Sequence, residues 1–116
     1  MTEVIRGGDS RTCTFPLTVR TIRLGAFIDR QNLRSVRFNE GLNTLGEQCF
    51  CNSGIRRLVL SSSVNEIGDE AFAQCRSLQH ADLENARSLR ELGQAAFCSC
   101  RALRRVLLGD SLEAVS

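Results

Sequence analysis

Lysine, tyrosine and tryptophan are missing from this chain, and histidine occurs once. A surface that tracks nucleic-acid phosphates is usually supplemented by aromatic rings on which bases stack. Without Tyr or Trp that reading has little support, and nucleic acid is not an expected partner. With His80 alone, acid/base catalysis of the common kind has little to draw on. Phosphate-binding loops, dinucleotide fingerprints, Gly-x-Ser-x-Gly and His-Glu-x-x-His are absent as well, so no catalytic residue, cofactor or metal ligand is expected. Nor is there an apolar run near the roughly 20 residues of a membrane span. The opening Met1-Thr2-Glu3-Val4-Ile5-Arg6-Gly7-Gly8 lacks the apolar core of a secretory signal. No Asn sits in a glycosylation sequon. The chain as given reads as cytoplasmic or otherwise intracellular, and as secreted or surface-bound if it is a piece of a longer protein. All fifteen basic residues are arginine, an outcome of codon bias as readily as of chemistry, and a net charge of +2 names no partner.

What the chain does have is a phenylalanine with a near-fixed stride. Ala26-Phe27, Cys49-Phe50, Ala71-Phe72 and Ala96-Phe97 are 23, 22 and 25 residues apart. An apolar residue stands five before each (Ile22, Leu45, Ile67, Leu92) and another three before that (Val19, Leu42, Val64, Leu89). Downstream come Leu33, Ile55, Leu78 or Leu103, and then a short run such as Leu58-Val59-Leu60 or Ala81-Asp82-Leu83. Self-similarity at this period predicts a solenoid in which each unit buries its apolar side against its neighbours. The 42% hydrophobic content suits one such domain.

Within the unit from Leu78 to Phe97, Leu78, Ala81 and Leu83 alternate with His80, Asp82 and Glu84, the period-two pattern of a short strand with an apolar inside and a polar outside. The step Leu89-x-x-Leu92-Gly93 follows a turn, and Gln94-Ala95-Ala96-Phe97-Cys98-Ser99-Cys100 is expected to form a helical or 3₁₀ turn. Glycine at 46, 68 and 93, one after the apolar step, suggests a backbone bend that a side chain would obstruct, while Arg23 takes that slot in the first unit, with Gly25 two residues on. The interval from Phe50 to Ile55 is one residue short, and Gly54 permits the contraction.

The six cysteines follow the repeat. Cys75 and Cys100 lie three residues after their Phe, Cys51 and Cys98 one after, Cys49 replaces the usual Ala, and Cys13 falls at an inward strand position. Free, buried packing thiols are the expected state. The Cys49/Cys51 and Cys98/Cys100 pairs lie two units apart, roughly 10 Å at the spacing of adjacent strands, too far for one tetrahedral zinc.

The segments Gly68-Asp69-Glu70-Ala71-Phe72-Ala73-Gln74-Cys75-Arg76-Ser77-Leu78 and Ala96-Phe97-Cys98-Ser99-Cys100-Arg101-Ala102-Leu103 resemble the BspA-like leucine-rich repeats, with units of the form Leu-x-x-Ile-x-Leu, Val-x-x-Ile-Gly, x-x-Ala-Phe-x-x-Cys. The match spans about residues 15 to 115 and departs at Arg30, at Cys49 and in the short Phe50 to Ile55 interval. The resemblance implies an α/β repeat: a curved, right-handed leucine-rich-repeat solenoid with one short parallel strand per coil and helical or 3₁₀ turns opposite. It also implies protein binding, attachment to host surfaces in some secreted members, and no shared catalytic residues. The whole of 1–116 is read as a single array. Residues 1–14 form a degenerate first coil or N-cap, with Val4 at a Phe slot and Ser10 at a Leu slot. Residues 15–115 are the repeats, and the last coil is unfinished.

The outward strand row reads basic, acidic, basic along successive coils. Arg34, Arg37, Arg57, His80, Asp82, Glu84 and Arg105 are therefore the candidate contacts for a protein or peptide partner, although the same arginines suit a plain solvated sheet. The rival readings are a spacer or adhesin segment of a longer array and an arginine-mediated binder of nucleic acid or another anion. Val106, Leu108, Leu112 and Val115 at the open end predict self-association through the C-terminal coil.

Overall fold

A computed structural model of the protein describes residues 11–107 and the strand Ala114–Val115. The chain winds as a solenoid with two strands per coil. The first strands are β1 (Thr12–Thr14), β3 (Ser35–Arg37), β5 (Arg57–Val59), β7 (His80–Asp82) and β9 (Arg105–Leu107). The second are β2 (Thr21–Ile22), β4 (Thr44–Leu45), β6 (Glu66–Ile67), β8 (Glu91–Leu92) and β10 (Ala114–Val115). Each set forms a five-stranded parallel sheet, ordered β1-β3-β5-β7-β9 and β10-β8-β6-β4-β2. Every strand therefore pairs with its counterpart one coil away, and the register of the repeat becomes the register of the sheets.

Inside, the ladder positions are buried: Val19, Leu42, Val64, Ile22, Leu45 and Ile67 from the apolar steps, Leu58, Leu78, Ala81 and Leu83 from the strands. Phe27, Phe50, Phe72 and Phe97 stack face to face with centroid separations of 5.2, 5.5 and 5.6 Å. Phe15 and Phe38 form a second, shorter stack and meet Phe27 and Phe50 edge-on. Offset and edge-on rings add to the area they bury, which makes this aromatic column the spine of the core.

The expected helical or 3₁₀ turns do not form; among the described residues there is no helix. The backbone amides explain why. Around Phe50, the N–H groups of Gln48, Phe50 and Asn52 donate to Asp69, Ala71 and Ala73 of the next coil at 3.0, 2.8 and 2.8 Å. Those of Cys49 and Cys51 donate within the turn to Gly46 and Gln48, both at 3.2 Å. A helix would consume all of these donors inside one coil, whereas here alternate donors stitch coil to coil. The alternation requires a left-handed residue two before and two after each Phe. Gly25, Gln48, Glu70 and Ala95 fill the first place and Asp29, Asn52, Gln74 and Ser99 the second, all with φ between 56° and 64°. Side chains at these positions also bond along the stack, Gln48 Nε2 donating to Glu70 Oε1 at 3.0 Å and Asn52 Nδ2 to Asp29 Oδ1 at 2.8 Å.

Glycine at 46, 68 and 93 is explained by close approach. A Cβ at Gly46 would fall 2.6 Å from the Ile22 carbonyl, one at Gly68 2.6 Å from the Glu47 nitrogen, and one at Gly93 against the backbone of Gly68 and Asp69. Cys13, Cys49, Cys51 and Cys75 occupy buried packing slots as expected, but Cys98 is exposed and Cys100 half-buried. Of the segment 1–14 the structure describes residues 11–14, in which β1 is the first rung. Val4, Ser10, Leu108 and Leu112 lie outside the described residues, as does the side chain of Val115.

Candidate partner-binding face

The first-strand sheet turns alternate side chains outward, and its register sets them in two rows. Pairing of Ser35 with Arg57, Arg57 with His80 and His80 with Arg105 makes one row predominantly basic. Pairing of Val59 with Asp82 and Asp82 with Leu107 makes the other apolar, acidic, apolar. Where the rows meet, a shallow depression of about 100 Å³ is lined by Arg57, His80, Ala81, Asp82, Arg105 and Leu107. Arg57 and Arg105 are exposed and His80 and Asp82 half-buried. Neither arginine's side chain makes an ion pair or hydrogen bond among the described residues, so both guanidinium forks can meet an incoming group.

Four of the seven candidates thus converge: Arg57, His80, Asp82 and Arg105. Arg37 lies exposed on β3, outside the depression. Glu84 lies past the end of β7 in the following turn, where its amide donates to Asp82 Oδ1 at 3.0 Å. Asp82 therefore caps its own turn as well as contributing charge to the face. Arg34 is turned away. Its Nη1 donates to the Gln31 carbonyl at 2.6 Å and reaches toward that of Gly54 at 3.5 Å, covering the shortened turn. There it lines a different, polar depression of about 370 Å³ together with Asn52, Gln74, Arg76 and Ser77. Val59 and Leu107, which the alternation places outward but which are not among the candidates, are 45% and 36% exposed and supply the apolar component of the face.

The description of the BspA type leucine rich repeat region matches residues 8–116, in six copies. The chain belongs to this family. Among solved structures, a leucine-rich repeat protein from Bacteroides ovatus ATCC 8483 is similar, at 25% sequence identity with a TM-score of 0.77. The likeness covers 85% of this leucine-rich-repeat chain and 25% of that protein, so the chain spans about a quarter of its relative's length. No curated protein matches the sequence. Membership in the leucine-rich repeats makes a repeat or interaction module the general description of this chain.

Proposed function

We propose that the chain is a non-enzymatic interaction module that receives a protein or peptide segment on its first-strand face. The observation that carries this reading is the row Arg57, His80, Arg105, held in register on three adjacent strands beside exposed Val59 and Leu107. Arginine forks select carboxylates geometrically, and the neighbouring apolar residues add contact area that charge alone would not give. A fitting segment carries acidic groups on one side and apolar groups on the other, with Asp82 rejecting an acid placed centrally. The test is to select peptides from a random display library on the chain and map them by backbone amide shifts. Shifts concentrated at residues 57–59, 80–82 and 105–107 support the reading. Shifts concentrated instead around Glu47, Asp69 and Glu70 assign binding to the opposite side.

A second reading is favoured by the quarter-length match to the solved relative: the chain is one segment of a longer array, serving as a spacer or surface adhesin. Sequencing the full-length transcript separates the two, since further repeats behind a secretory signal support the adhesin.

A further inference from the structure

Three residues past each ladder phenylalanine the chain carries, in turn, Arg30, Ser53, Cys75 and Cys100. The last two are cysteines in equivalent slots of neighbouring coils, a relation no other pair of the six cysteines has. Their thiols serve the same structural need. The coil-to-coil ladder around Phe50 uses the carbonyls of Asp69, Ala71 and Ala73 and leaves that of Phe72 outside it. Cys100 Sγ donates to the Phe72 carbonyl at 3.1 Å, and Cys75 Sγ donates to the Phe50 carbonyl at 3.2 Å. Ser53 Oγ lies 3.3 Å from Cys75 Sγ.

Phe72 and Phe97 stack at 5.6 Å, and the Gln74 amide bonds to the Cys98 carbonyl at 2.7 Å, so the two coils are tightly joined on both sides of the pair. One coil step of about 4.8 Å falls within the Cα range of about 4.4–6.8 Å that a disulfide spans. Because equivalent slots point in parallel, the Cβ atoms must close from about the ladder spacing to about 3.8 Å. That closure strains the bond and makes it readily reducible.

We propose that Cys75 and Cys100 are a reversible oxidation site, which a low-molecular-weight disulfide converts to a covalent bridge between the third and fourth coils. Cys100, the half-exposed member, meets the reagent. Its thiolate attacks one sulfur of R–S–S–R, forming Cys100–S–S–R and releasing RS⁻. The Cys75 thiolate then attacks Cys100 Sγ, forming the bridge and expelling the second RS⁻. The two cysteines lose two protons and two electrons, and the reagent is reduced to two RSH. Hydrogen bonding from Cys100, and then from the Ser53 hydroxyl and amide, outweighs burial and lowers Cys75 to about 7. Interaction with Cys75, and then burial, raises Cys100, so the first proton leaves Cys75 and the Cys75 thiolate takes the Cys100 proton as Cys100 Sγ attacks, returning it to the released RS⁻ before the second step.

The test uses the full chain carrying Cys98→Ser, reduced and then incubated folded with glutathione disulfide. Cleavage after arginine gives one peptide, 58–76, whose only cysteine is Cys75, and another, 91–101, whose only remaining cysteine is Cys100. A cross-linked product of these two that dithiothreitol releases, and that Cys100→Ser or Cys75→Ser abolishes, is the expected result. Glutathione adducts without the cross-link, a link from Cys75 to peptide 38–56, or oxidation only after denaturant is added would each overturn the proposal.

Discussion

The rings of Phe50 and Phe72 lie parallel, tilted by 1° with 5.5 Å between centroids, and both side chains are fully buried. This pair sits at the middle of the aromatic column, where each ring has a neighbour above and below. Replacing Phe72 by Ala leaves a cavity that two adjacent coils cannot both close, and should cost about 3 to 5 kcal/mol. Chemical denaturation measures it, and a loss under about 1 kcal/mol would contradict the column's role.

Two substitutions separate close approach from backbone strain. At Gly68 an added methyl group meets the backbone of Gly46 and Glu47, so Gly68→Ala should cost about 1 to 3 kcal/mol by overpacking. At Ala95, φ is +58°, in the place that the first coil gives to Gly25. Ala95→Gly relieves about 1 to 2 kcal/mol of left-handed strain and gives back part of it in chain entropy. Thermal melts of the two variants should move in opposite directions, Gly68→Ala downward and Ala95→Gly upward.

Alkaline destabilisation should report the buried thiols. Burial raises Cys49 above the ordinary 9.0, and burial likewise raises Cys13 and Cys51. In each case the folded state keeps a proton that the unfolded chain gives up, so the contribution is complete below 9.0 and is lost as pH rises above it. Cys75, lowered to about 7, acts in the opposite sense and at lower pH. With no lysine or tyrosine to titrate in the same range, the alkaline limb belongs to the cysteines. Denaturation midpoints under reductant should fall above pH ~9, and less steeply in Cys49→Ala, which restores the residue found before Phe27, Phe72 and Phe97. An identical pH profile for that variant would show that Cys49 is not the group responsible.

The phenylalanine stride was enough to specify the solenoid, because the spacing of Phe50 and Phe72 in sequence is their stacking in space. The second sheet was not legible: Thr21–Ile22 and its counterparts are two-residue strands, too short for an alternation to be read, and their hydrogen bonds come from the neighbouring coil. The turn conformation was hidden for a related reason, since Gln48 and Glu70 carry no local signal for positive φ and adopt it because alternate amides must reach the next coil. On the first-strand face, repeat alignment placed Arg57, His80 and Arg105 at equivalent positions, and the strand register sets them in one row. It misplaced Arg34 and Glu84 because strand ends are set by the turns, where Arg34 folds over Gly54 and Asp82 captures the Glu84 amide.

The most direct test of the proposed binding face is to reverse Arg57 and Arg105, whose side chains bond to no described residue. Both are exposed, and exposed charges contribute little to stability, so Arg57→Glu with Arg105→Glu should fold as the parent does. The association rate of a display-selected acidic peptide should fall at least about tenfold at low salt, and its salt dependence should flatten, because charge complementarity acts mainly on encounter. An unchanged rate in the folded double variant, with binding abolished instead by reversing Glu47, Asp69 and Glu70, would contradict the account.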